Sequence, residues 1–163
     1  MRAIPLLVLL ALAAPALAYD ANGVALGAGE PEVKKAFPSA RCKPLEWKTD
    51  AAERRCDDGQ TSFGGAKAKI TFYLKAGAIQ AFDVRFDVKD LELVRAHLRA
   101  RYGRPLAEAT EVIARKDRED RKVFKMRWEK GADRAVLTAQ LDRKRASLEV
   151  SRGDFPDEVY RVR

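Results

Sequence analysis

The 163-residue chain has one histidine, two cysteines and, past residue 18, no long apolar run. Each scarcity removes a class of chemistry. With His97 as the sole imidazole, a multi-histidine metal centre is excluded, and any Ser-His-Asp or Cys-His arrangement would have to pass through this residue. Two thiols cannot complete a four-ligand zinc site, and the spacing of Cys42 and Cys56 is far from a Cys-x-x-Cys redox pair. No Gly-x-Ser-x-Gly, His-Glu-x-x-His or glycine-rich phosphate loop occurs, and Gly64-Gly65 reads as a loop pair. No later segment approaches the ~20 apolar residues needed to cross a bilayer. No metal, cofactor or catalytic constellation is therefore expected.

What the sequence does contain begins at its start. Arg2 precedes an apolar stretch over residues 3–17, broken by Pro5 and Pro15, that closes in Ala16-Leu17-Ala18. A basic start, a short apolar centre and a small-residue exit are the features of a secretory leader. Residues 1–18 are accordingly expected to be removed before Tyr19, leaving a soluble periplasmic or secreted product over 19–163. Because Tyr19 is not a cysteine, a lipid anchor at that position is not expected.

Losing Arg2 from a net charge of +8 leaves the mature chain at +7. A basic protein in an envelope favours anionic partners, such as phosphate-bearing envelope components or acidic proteins, although interspersed acidic residues serve solubility equally well. In an oxidising compartment the two cysteines are expected to form a disulfide closing a fifteen-residue ring. Such a bridge contributes about 3 kcal/mol in the chain-entropy picture. Trp47 lies within the ring and is placed to cover it.

The residue pattern predicts an α+β protein. Glu30-Pro31-Glu32 opens a short helix with Val33, Ala36 and Phe37 inward, and Pro38 ends it. Residues 44–57 read as irregular or short strand. Over 68–86 the period becomes two: Ile70, Phe72 and Leu74 share one face, then Phe82, Val84 and Phe86 follow a turn at Ala76-Gly77. The opposite face carries Thr71, Tyr73, Lys75, Asp83 and Arg85, which predicts a solvated side. Asp90 is placed to cap a second helix with Leu91, Val94, Leu98 and Tyr102 inward, ended by Gly103 and Pro105. Strands are predicted over 111–115, 123–128, 135–141 and 146–150, with Phe124, Met126 and Trp128 facing the core. Phe155, Val159, Tyr160 and Val162 would tack the tail onto the body. The result is an antiparallel sheet covered by two helices, its order compatible with two tandem αβββ units, halves 19–88 and 89–163.

Leu26-Gly27 through Val33 to Phe37-Pro38, and Leu91 through Val94 to Tyr102-Gly103-Arg104-Pro105, resemble the helical openings of small envelope proteins with the outer-membrane assembly lipoprotein fold. The β-lactamase inhibitor protein is similar in architecture. The resemblance implies a binding module without catalysis and carries no site residues, and the lipid-bearing cysteine of the first family has no counterpart here.

Among candidate sites, Arg95, Arg99 and Arg101 recur about one turn apart along the second helix, with Arg104 just beyond, and their guanidinium forks suit carboxylate or phosphate oxygens. The row Thr71, Tyr73, Lys75 and Arg85 is a candidate protein-facing surface. Arg143-Lys144-Arg145 reads as a charged hairpin tip. Placing the aromatic rings on core faces disfavours a nucleic-acid reading. The expected function is non-catalytic recognition of an envelope protein or an anionic envelope component. The alternative, a carboxylate-dependent envelope hydrolase, would draw on Asp57, Asp58, Asp83 or Glu111. His97 is expected to be an ordinary surface or boundary residue.

Overall fold

A computed structural model describes residues 18–159 and 161. The expected leader up to Leu17, and the tail residues Tyr160 and Val162, lie outside the described residues. The chain opens with a tiny hairpin, β1 (Asp20–Ala21) and β2 (Val24–Ala25), followed by helix α1 (Glu30–Ala36). Strands β3 (Arg41–Pro44), β4 (Arg54–Phe63), β5 (Ala66–Lys75) and β6 (Ala78–Asp87) follow. After helix α2 (Leu91–Tyr102) come β7 (Ala107–Ile113), β8 (Arg121–Lys130), β9 (Asp133–Gln140), β10 (Arg145–Arg152) and the short α3 (Phe155–Glu158). Every ladder is antiparallel, and eight strands form one sheet in the order β3-β4-β5-β6-β10-β9-β8-β7.

The α+β class and the antiparallel sheet are as expected, but the sheet is larger, and four strands rather than three follow each of α1 and α2. The two four-strand meanders run in mirror order and meet where β6 pairs with β10. The missed strand is β3, four residues long and paired with the polar start of β4, where no apolar alternation announces it. The β7 strand also begins earlier than the residue pattern implied. Immediately after Pro105, the Leu106 amide donates to the Arg127 carbonyl at 2.7 Å, so pairing with β8 starts at once and ends before Arg115.

The strongest sequence signal is reproduced closely. Ala76 and Gly77 take positive φ of 49° and 77°, the left-handed pair that a tight hairpin turn requires, and Phe72 comes to lie opposite Phe82 and Ile70 opposite Val84. The same face continues through Leu148 and Val150 of β10, Leu137 of β9, and Met126 and Trp128 of β8, all buried. Helix α1 contributes Val33, with Phe37 just past its end, and α2 contributes Leu91, Val94 and Leu98 at helical spacing. The Phe37 and Phe72 rings lie 5.2 Å apart, and Phe72 and Phe82 5.8 Å. Burial of large apolar side chains at about 1.5–3 kcal/mol each makes this layer the main source of stability. The entry to α2 differs from expectation: Asp90 makes no capping bond, while Asp87 accepts from the Lys89 amide at 2.9 Å and starts a 3₁₀ turn, Val88–Asp90.

The other face of the sheet is only partly open. Segment 45–53 and α3 fold over its β5–β6 end, where Ala51, Ala52, Ala81, Phe155 and Val159 form a second small core with Leu45, Trp47 and Tyr73 against it. Trp47 does not cap the disulfide ring; its indole N–H donates to the Val159 carbonyl at 2.6 Å, and Thr49 donates to Glu158 at 2.7 Å. This cover corrects the expected exposed row. Thr71 is 3% exposed and donates to Asp57 at 2.8 Å, and Tyr73 is half-buried against Phe155, whereas Lys75 and Arg85 remain exposed.

Candidate interaction surface

The sheet has two edges, and they are finished differently. At one, Cys42 and Cys56 stand directly opposite each other in β3–β4 and form the expected disulfide. The strand there is four residues long and ends at Pro44, which has no amide to offer. At the other, β7 is seven residues long, contains no proline, and every residue of it is exposed. Val112 is 60% exposed and Leu106, just before the strand, 62%. Alternate backbone groups along such an edge have no strand to bond.

Helix α2 lies above this edge, and its arginines are committed to it. Arg95 and Arg99 both bond Glu108 of β7, and Arg95 also bonds Glu92 and lays its guanidinium 4.6 Å from the Phe124 ring centre. Arg101 pairs with Asp20 at 2.7 Å, and the Tyr102 hydroxyl donates to the Asp20 carbonyl. Burial, reinforced by the Asp20 charge, raises the Tyr102 phenol far above its usual range, so it stays a donor. The four-arginine ridge is thus not a free anion surface: three of its members brace the helix. Arg104 is exposed and makes no ion pair among the described residues.

Arg101 and Arg104 nevertheless meet in one place. With Tyr19, Leu106, Trp128 and Lys130 they line an open groove of about 650 Å³ at the C-terminal end of α2, beside the start of β7. Its floor is rigid. Trp128 donates to the Gly103 carbonyl at 2.9 Å and meets Tyr102 edge-on, their ring centres 5.9 Å apart. No sequence pattern announces this groove, because Tyr19, Tyr102 and Trp128 come from three distant segments.

A smaller cleft of about 130 Å³ lies on the partly covered face, between Tyr73, Phe155 and Val159, with Asp83 and Glu149 on its wall. These two acids are cross-strand partners in β6–β10. Burial raises the Asp83 carboxyl to about 6, Arg85 at 3.1 Å pulls it back, and Glu149 pushes it up further. One Asp83 oxygen, Oδ1, is buried without a hydrogen-bond partner among the described residues.

The other candidate carboxylates do not join this pair. Asp57 accepts from Thr71 and pairs with Arg55, and Asp58 is buried, accepting from Ser39 and the Gln60 amide. Glu111 pairs with Lys125 at the far edge. His97 packs edge-on against Phe63 at 5.0 Å over the Gly64-Gly65 turn, where a Cβ on Gly64 would come within 2.8 Å of it. Burial and Arg101 lower its pKa, and it bonds no carboxylate among the described residues. Arg143 and Lys144 occupy the β9–β10 turn, and Arg145 begins β10. Glu30, Cys42 and Cys56 lie close together, but both sulfurs are bonded to each other and Glu30 is engaged by Lys34 and Arg54, which leaves no metal ligand set.

No helix among the described residues is long and apolar enough to cross a membrane. Comparison with protein-family models, curated proteins and solved structures finds no match to this chain.

Proposed function

We propose that this chain is an exported, non-catalytic interaction module that receives a segment of a partner protein as an added strand along β7. The carrying observation is the contrast between edges: β7 is seven residues long and exposed along its whole length, while β3 is short and blunted. Strand addition uses backbone groups for affinity and flanking side chains for selectivity, and needs no catalytic residue. The leader-like start and the disulfide support a periplasmic or secreted setting. The architectural resemblance to small envelope binding proteins, and the reading of the chain as a tandem of helix-plus-meander units, belong to the same proposal. Recognition of a protein is favoured over nucleic acid because Tyr19 and Trp128 are buried and offer no stacking face.

A photo-crosslinking residue at Val112, in the organism that exports the protein, tests this. The proposal expects a discrete adduct from Val112 that is absent from the same probe at Lys75. Adducts that form equally from both positions, or only from Lys75, would refute it.

One observation favours a second reading, an acid–base hydrolase. Asp83, with its carboxyl raised to about 6 beside Glu149, has the environment of a general acid. Against it, the cleft of about 130 Å³ is smaller than the ~300 Å³ at which ligand pockets begin, and Arg85 already holds the carboxylate. Peptidoglycan turnover by the purified protein that vanishes in Asp83→Asn would decide for the enzyme.

A further inference from the structure

Resting on the strand-addition reading, we infer that the partner segment is acidic at one end, and that its Asp or Glu side chain docks on Arg104 in the groove beside the start of β7. The edge itself is electrostatically quiet. Glu108 is neutralised by Arg95 and Arg99, and Glu111 by Lys125 at 3.0 Å. Along the groove, Arg101 is paired with Asp20, and Glu129 lies 3.4 Å from Arg127. Arg104 therefore carries the unbalanced charge nearest the place where an added strand leaves β7. A guanidinium meeting a carboxylate there gains charge-assisted hydrogen bonds and geometric selectivity.

The side chains that flank the edge specify the rest of the segment. Val112 and Thr110 follow Glu108 on the helix-side face, while Ala107, Ala109 and Ile113 lie on the other. Small alanines leave room for a large apolar side chain opposite them, so an alternating, β-branched segment fits. Running antiparallel, it places its acidic residue C-terminal to the part that pairs with Ala107. A second copy of this chain fits poorly. Antiparallel self-pairing centred on Thr110 sets Arg104 opposite Lys116 of the other copy, like charges facing each other.

Selection from a random peptide display library on the full mature chain tests the inference. Adjacent strand residues aim their amides to opposite sides, so either Ala109→Pro or Thr110→Pro removes an outward donor while sparing the ladder to β8. Whichever variant keeps the wild-type circular dichroism serves as the control target. The expected result is a set of peptides that alternate β-branched residues, carry Asp or Glu at the C-terminal end, bind Arg104→Glu about tenfold more weakly and lose less affinity for Arg104→Lys, which keeps the charge without the fork. Alternating peptides without acidic enrichment, or with equal affinity for Arg104→Glu, would overturn the acidic docking and leave strand addition standing. Enrichment no greater than on the proline control would bring down both.

Discussion

The two ends of the sheet show how one fold can close one edge and leave the other open. At the β3 end the strand is brief, Pro44 ends it, and a covalent bond clamps it to β4. At the β7 end the strand is nearly twice as long, held by one ladder to β8 and by arginine struts from α2 to Glu108. The lesson is that exposure of an edge is a matter of construction. Closing β3 takes three separate devices, whereas β7 is held in place by contacts that leave its outer side unused.

The comparison can be broken most severely at the closed end. Replacing both Cys42 and Cys56 by Ala is expected to lower unfolding free energy by about 3 kcal/mol in denaturant titration. A loss below about 1 kcal/mol would mean that β3 holds without its bridge.

Next in size is the partly covered face between the edges. The folded state raises the Asp83 carboxyl to about 6, above its ordinary value, so the folded protein binds this proton more tightly than the unfolded chain does. Stability is therefore undiminished by this group below pH ~4, falls as pH rises towards ~6, and is flat above, a change of up to about 3 kcal/mol. Asp83→Asn should remove that slope in thermal melts taken across the window. A slope that persists unchanged would assign it to other groups.

Glu108→Gln comes third. It strips Arg95 and Arg99 of their shared carboxylate and should cost about 1 kcal/mol, with faster amide exchange in β7 than in β8. The smallest effect sharpens the contrast best. Val112→Lys should change stability by less than about 0.5 kcal/mol while abolishing peptide capture at the edge. A large loss of stability would show that Val112 is structural.

Much of the fold could be read from residue pattern, and the reasons are local. The β5–β6 hairpin was legible because Ile70, Phe72 and Leu74 alternate and Ala76-Gly77 suits the turn, and α2 because Leu91, Val94 and Leu98 share a stripe. The disulfide followed from an even cysteine count. By contrast, β3 and the start of β4 carry Arg41, Lys43, Arg54 and Arg55, so alternation gives no sign of them. The arginine flank of α2 was misleading for a related reason. Residue spacing reveals that Arg95 and Arg99 share a face, but their engagement depends on β7 placing Glu108 beneath them, a fact of sheet order. The pairing of Asp83 with Glu149 likewise comes into being only when the two meanders join at β6 and β10.

The most direct measurement is amide hydrogen exchange along the sheet edges, with and without a peptide selected on the protein. Protection that rises in Ala107–Ile113 and stays constant in Arg41–Pro44 is the predicted result. Unchanged exchange in β7 upon saturation, or new protection confined to other strands, would contradict the assignment of β7 as the receiving edge.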